Sequence, residues 1–448
     1  MRRKRLFSDR QLLFITIPII VEQVLAVLLG LVDTMMVTYA GEAAISGVSL
    51  VNSINILIFG IISSIATGGS VIYAHKIGSD EKDKAGKVGN QTYLISIIIA
   101  AITTIIILLF ASTLINIIYP NLDADIFQNA VIYFILTGLN IPFLTLFSVD
   151  AAIFRAKGKT TITMVVSVIM NILNIIGDYV LIIICGYGVF GAGLATLIVR
   201  VVGFLIMNYF MSREPYGIRK HKRSTYKFHK EVIKDVLNTG IPLSVDSSLF
   251  QVGKILVQNL INIFGPTAIA ANAIFGSIAG IVMIPGRAIS IAVITIVGQS
   301  LGAKRFKESI MYTKKFLFYC YISIFIMNIF LYIHSADVVG WFKTTPATAE
   351  LAVILLKQQC VASTFIWSTS FILPNAFKAA LDAKYVMYVS MFSMWVVRIG
   401  CAYLFILVFK WEVHTIWYSM YIDWLVRSIF FVYRFVSRTW LKKVMIKE

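Results

Sequence analysis

Twelve long apolar runs, each near or above the roughly 20 residues that a helix needs to cross a bilayer, dominate this 448-residue chain. They fall at 12–37, 49–74, 92–118, 127–153, 161–184, 188–211, 232–262, 273–297, 312–335, 349–375, 385–408 and 414–436. In lipid every backbone N–H and C=O must be satisfied internally, which leaves helices or closed barrels. These runs are too long for barrel strands and lack a two-residue alternation. The predicted fold is therefore an all-α polytopic membrane protein with twelve transmembrane helices. With 58% hydrophobic and 14% charged residues, the bilayer is the solvent that tolerates this composition.

The net charge of +18 does not form one patch, as a nucleic-acid surface would require. It alternates by loop. Lys76, Lys82, Lys84 and Lys87 follow run two, and Arg155, Lys157 and Lys159 follow run four. The central segment carries Arg213, Arg219, Lys220, Lys222, Arg223, Lys227, Lys230 and Lys234. Lys304, Arg305, Lys307, Lys314, Lys315, Lys378 and Lys384 continue the pattern, and both termini are basic. The intervening loops hold only Lys343 and Lys410, with several acids. The positive-inside rule then puts both termini and the central loop in the cytoplasm. The expected location is the cytoplasmic membrane, with lipid as partner, no nucleic acid and a single chain as the working unit. The basic start lacks a small-residue cleavage site and reads as a cytoplasmic flank. Cys185, Cys320, Cys360 and Cys401 match no metal or disulfide spacing and read as small buried hydrophobes.

Self-comparison shows an internal repeat. At an offset of 224, Ile17-Pro18 meets Ile241-Pro242, Glu22 meets Asp246, Gly41 meets Gly265, Ala44-Ile45 meets Ala268-Ile269, and Gly78 meets Gly302. At 223, Phe154-Arg155-Ala156 meets Phe377-Lys378-Ala379. Six spans per half give two parallel six-helix bundles related by a pseudo-two-fold axis along the membrane normal. The expected division is an N-lobe at 1–211, a cytoplasmic linker at 212–231 and a C-lobe at 232–448. A cleft between bundles that rock against each other would give alternating access.

Charges within spans are costly and point to function. Asn171, Asn174 and Asp178 share one face of helix 5 through spacings of three and four. Such a stripe could hold Na⁺, a hard cation served by oxygen ligands, or a proton on Asp178; it could equally be an interhelical hydrogen-bond cluster. Glu22 and Asp33 lie about three turns apart on helix 1 and point roughly the same way. Glu22 and its repeat mate Asp246 would either face the cleft and favour a cationic solute or pair with a nearby base. Lys254 and Arg398 are expected to neutralise buried acids or snorkel, with direct contact to the solute as the alternative, and Asp150 and Asp423 to pair with Arg155 or Arg427. Pro18 and Pro242 mark either kinks or early-helix positions. No Walker motif, nucleophile–base pair or zinc motif is present, so neither ATP-driven transport nor an enzyme is expected, and no cofactor.

With these features in place, the chain resembles the MATE (multidrug and toxic compound extrusion) family. The resemblance rests on Val32-Asp33-Thr34-Met35-Met36-Val37 after an upstream proline, on Gly41 and Ala44, on Asn171 to Asp178, on Gly191-Ala192-Gly193-Leu194-Ala195-Thr196, and on Gly298-Gln299-Ser300-Leu301-Gly302-Ala303. It implies efflux of cationic or amphipathic small organic molecules coupled to Na⁺ or H⁺. It further implies a coupling site on Asp33, Asn174, Asp178 and Thr196, with Asn171 beside it. If the ion is sodium, Asp33, Asn174 and Asp178 are its ligands. An acid that other branches carry in helix 7 corresponds here to Gln251, which cannot ionise and would line the substrate cleft with Glu22 and Asp246. The alternative within the same superfamily is a flippase for a lipid-linked oligosaccharide.

Overall fold

The computed structural model describes residues 5–215 and 227–446. Much of the expected linker, with Arg219, Lys220, Lys222 and Arg223, lies outside the described residues, as do Arg2, Arg3 and Lys4. Among those described there is no strand.

Twelve helical rods follow one another. They are α1 (Asp9–Thr38), α2 (Glu42–Gly78), α3 (Lys82–Ile118), α4 (Ala124–Ala156), α5 (Thr160–Ile184), α6 (Gly188–Arg213) and α7 (Lys230–Asn262), then α8 in two pieces (Pro266–Val282 and Ile284–Gly302). The chain continues with α9 (Phe306–Gly340), α10 (Pro346–Ala379), α11 (Ala383–Val408) and α12 (Ile416–Val436). Ten of these are long and apolar enough to cross a membrane. The two that are not, α7 and α12, carry polar residues along one side. Ser247, Gln251, Lys254 and Gln258 line one side of α7, and Asp423 and Arg427 sit on α12.

Each of the twelve expected spans is present, but most run longer than the apolar stretch that announced them. At 1.5 Å per residue, the 37 residues of α2 and of α3 span about 55 Å, well beyond a hydrocarbon core of about 30 Å. The surplus is the charged end of each rod, for example Lys82, Asp83, Lys84 and Lys87 at the start of α3. Outer faces are apolar, as Ile102, Ile105 and Leu109 of α3 illustrate. Helix α8 breaks at Met283, where Pro285 just beyond it lacks the N–H that would continue the ladder. The helices run on through Pro18, Pro142, Pro242 and Pro374. Helix α5 widens to a π-helical turn at Tyr179–Ile184, immediately after Asp178. Cys320 and Cys360 are buried as expected; Cys185 is exposed, because it lies just past the end of α5.

The repeat extends to backbone geometry. Gly41 and Gly265 have φ of 99° and 80°, Asp80 and Lys304 of 60° and 58°, and Gly186 and Lys410 of 67° and 52°, each pair 224 residues apart. Non-Gly residues seldom adopt this region, so the coincidence is specific. The helix-interior departures at Phe110 in α3 and His334 in α9 are also 224 apart.

Contacts divide the chain into two compact units, one of Leu13–Ser244 and one that joins Val245–Glu448 to the residues up to Leu12. The divisions fall inside α1 and α7. In the second unit the Leu6 N–H donates to Glu308 Oε2 (2.9 Å) and the Phe7 N–H to the Tyr312 hydroxyl (2.8 Å). In the first, Gln91 Nε2 donates to the Lys227 carbonyl (3.0 Å) and the His229 N–H donates to Gln91 Oε1 (3.2 Å). The segment leading into α7 thus packs with the first half, and the segment leading into α1 with the second. Further along α7 the Gly240 backbone lies so close to α2 that a Cβ on Gly68 would come within 2.7 Å of the Gly240 nitrogen.

Candidate functional site

The first unit brings five rods to one polar point. On α5 the buried stripe is Thr163, Val166, Met170, Asn174 and Asp178, so the helix turns its amides and carboxylate inward while Ile172, Leu173, Ile175 and Ile176 face out. Asn174 Nδ2 donates to Asp178 Oδ2 at 3.2 Å. Asp33 of α1 lies against Asp178, near enough for one carboxyl to hydrogen-bond the other. Two carboxylates can do so only with a shared proton, or can sit together around a cation. Oδ1 of Asp33 and Oδ1 of Asp178 are both buried without a donor.

Two further residues complete the electrostatics, and neither was among the candidates. Arg200 of α6 lies within electrostatic reach of Asp33 and Tyr133, and the buried Tyr133 of α4 within reach of Asp33, Asp178 and Arg200. The Tyr133 hydroxyl donates to Asn52 of α2 at 3.5 Å. An arginine within the apolar run 188–211 was the signal for Arg200; nothing separates Tyr133 from other span tyrosines in sequence. Two carboxylates against one guanidinium leave one excess negative charge at membrane depth. One monovalent cation would neutralise it.

Of the other expected ligands, Asn171 is half-buried one turn before Asn174. Thr196 is half-buried on α6, and its hydroxyl donates to the Ala192 carbonyl of its own helix (3.0 Å). Gly177 packs α5 onto α6, where an added Cβ would lie 3.2 Å from Ala195. The apolar cluster of Val37, Ile182, Val189 and Ala192 borders the site through Tyr133. Among the described residues no three His, Cys, Asp or Glu side chains gather. The donors here are oxygens, the set that suits Na⁺ or H⁺.

The acids expected in a cleft are engaged. Glu22 is buried, ion-paired with Arg155 and accepting from Thr163 Oγ1 (3.2 Å). Its repeat mate Asp246 sits 3.9 Å from Lys378, the mate of Arg155. Pairing, the second of the two expectations, is what the geometry contains. Glu22 and Asp33 both face α5, as their spacing indicated. Asp246 also borders a small hollow with Leu249, Phe250, Ser390 and Met394, and Gln251 is half-buried on α7. Arg427 pairs with Asp423 at 2.8 Å. Lys254 and Arg398 form no ion pair among the described residues; Asp423, the acid within reach of Arg398, pairs through Oδ1 with Arg427 and Ser393.

A multi-pass helical membrane protein built twice over, with a charge-imbalanced polar point inside its first half, is the architecture of a transporter. The MatE family model matches residues 18–180 and again 242–404, two segments in the same 224-residue register. The chain belongs to the MatE (MATE) family. It is 29% identical over 441 residues to the uncharacterized transporter YisQ of Bacillus subtilis, covering 96% of this chain and 95% of that one. It is 25% identical to a probable multidrug resistance protein NorM of Thermotoga maritima, over 98% and 94%. A MOP superfamily transporter from Pyrococcus furiosus superposes with a TM-score of 0.88 at 19% identity, over 97% and 96% of the two chains. The outward-facing structure of a multidrug resistance MATE transporter gives 0.86 at 20%, over 97% and 96%. Both share the fold, twelve helices in two six-helix bundles.

Proposed function

We propose that this protein exports amphipathic small organic solutes by antiport with Na⁺ or H⁺, the cation being taken up at Asp33 and Asp178. The observation that carries this reading is the charge imbalance: two adjoining carboxylates, each with an oxygen lacking a donor, against Arg200 alone. Asn174 and Asn171 supply amide oxygens beside them, and Thr196 a hydroxyl. Empty, the site holds one uncompensated charge at membrane depth; filled, it is neutral. Occupancy would bias movement of one six-helix bundle against the other. One charge moving inward through 100 mV releases about 2.3 kcal/mol, enough to drive roughly a fiftyfold solute gradient. The loop charges support cytoplasmic termini and a place in the cytoplasmic membrane. The working division is 1–211, 212–231 and 232–448, with Gln251 and the hollow beside Asp246 along the solute path and Glu22 held in its ion pair with Arg155.

The test is dye efflux from proteoliposomes under separately imposed Na⁺ and proton gradients. Asp178→Asn should abolish cation-driven efflux while the purified variant keeps its elution profile and helicity. Undiminished efflux by this variant removes the site from the coupling cycle.

A further inference from the structure

The second half carries the opposite sign. Lys254 of α7 lies within electrostatic reach of Arg287 of α8 and Arg398 of α11. Among the described residues none of the three forms an ion pair. The nearby Asp423 is shared: Arg427 Nε donates to its Oδ1 at 2.8 Å, and so does Ser393 Oγ, while its Oδ2 has no hydrogen-bond partner. Arg398 Nε and the Tyr421 hydroxyl, its electrostatic neighbour, are buried without partners. Each charge at membrane depth costs about 2.5–3.5 kcal/mol on insertion scales, so three cations beside a single carboxylate that already pairs with Arg427 call for a reason.

Snorkelling does not supply one. Lys254 lies about 12 Å along the axis from the end of α7, and Arg398 about 15 Å from the end of α11 and about 22 Å from its start. Those spans exceed or match a full side-chain reach. The helix faces point elsewhere too. Ala273, Gly276, Ser277 and Gly280 share one side of the first piece of α8, and a Cβ on Gly276 or Gly280 would meet nothing within 4 Å. Between the exposed Ile269 and Ile281 this face is made of small residues and is open. On α7 the seam of Ser247, Gln251, Lys254 and Gln258 is wholly polar, with Asn272 of α8 donating to Gln258 Oε1 at 2.7 Å.

We propose that Lys254, Arg287 and Arg398 form a site for the anionic group of an organic solute, a carboxylate, sulfonate or phosphate monoester. Guanidinium and ammonium donors set near one another are the usual means of holding such groups. The inference deepens the export reading by giving the solute a charge. Its test is equilibrium binding alone, so its failure and a failure of cation coupling are distinguishable.

The full-length protein in detergent is titrated with 1-naphthalenesulfonate and with 1-naphthylmethylammonium, which share a ring and differ in charge, and binding is followed by dialysis. The wild type should hold the sulfonate at least tenfold more tightly than the ammonium. Lys254→Gln and Arg287→Gln replace exposed side chains; each should weaken sulfonate binding at least fivefold and leave ammonium binding unchanged, with elution profiles like the wild type. Lys357→Gln, which alters a cation stacked on Tyr332, should change neither. Equal binding of the two probes by the wild type, unchanged sulfonate binding in both variants, or an equal loss in Lys357→Gln would overturn the assignment.

Discussion

Replacing Arg200 by glutamine takes the polar point of the first half from one excess negative charge to two. At an effective dielectric of about 20 and a separation of about 8 Å, one unit charge changes the energy of a bound monovalent cation by about 2 kcal/mol. That is roughly a thirtyfold change in affinity. The coupling-cation concentration for half-maximal dye efflux should therefore fall about thirtyfold in Arg200→Gln proteoliposomes. The maximal rate should fall as well, because a more tightly held cation leaves more slowly. The double variant Arg200→Gln/Asp33→Asn returns the count to one negative charge and should bring the half-maximal concentration back toward the wild type. An unchanged value in the single variant, or no return in the double, would refute the charge count and with it the pairing of Asp33 with Asp178.

Two stability predictions follow from contacts away from that point. Burial alone would raise the pKa of Glu214, but the Lys159 hydrogen bond and the charges of Lys157 and Lys159 outweigh it and hold the carboxyl below its ordinary value of 4.5. Because the folded value is depressed, the stabilisation is present above pH 4.5 and is lost as pH falls below it through the folded value. The melting temperature of Glu214→Gln should therefore lie below that of the wild type at pH 7, and the gap should close on acidification; a constant gap contradicts the ion pairing. Gly68→Val puts a branched side chain where even one carbon would touch the Gly240 backbone. Overpacking of this kind costs about 1–3 kcal/mol or more, so this variant should melt earlier and elute abnormally while Gly276→Ala, at an open position, does neither.

Much of this architecture was legible because bilayer thickness and backbone hydrogen bonding leave few choices. All twelve rods, the repeat and the inward stripe of α5 follow from apolar length, self-similarity and a spacing of three and four. Rod ends were less legible, since α2, α3 and α9 continue past the apolar run on charged turns that no lipid limits. The break at Met283 depended on how the freed carbonyl near Pro285 would be accommodated, which is a matter of packing. Within the site, Asp33 and Asp178 could be named from one helix each, but their mutual contact is tertiary. Tyr133 was invisible because aromatics in spans are common. The pairing of Glu22 with Arg155, and of Asp246 with Lys378, left a trace in the repeat, where these acids and bases recur at offsets of 224 and 223, but spacing alone named no partner and offered Arg155 to Asp150.

The hand-over of leading segments bears on how the protein is made. Residues 227–244, which close the first half, leave the ribosome only after all of α1 to α6. Leu6 and Phe7 are made first, yet their docking partners Glu308 and Tyr312 arrive some three hundred residues later. Neither half can finish folding while the other is missing. Insertion must therefore hold an early, partly open bundle in the membrane until the late helices arrive. A chain cut in the central loop should regain its shape only when both pieces are synthesised in the same cell.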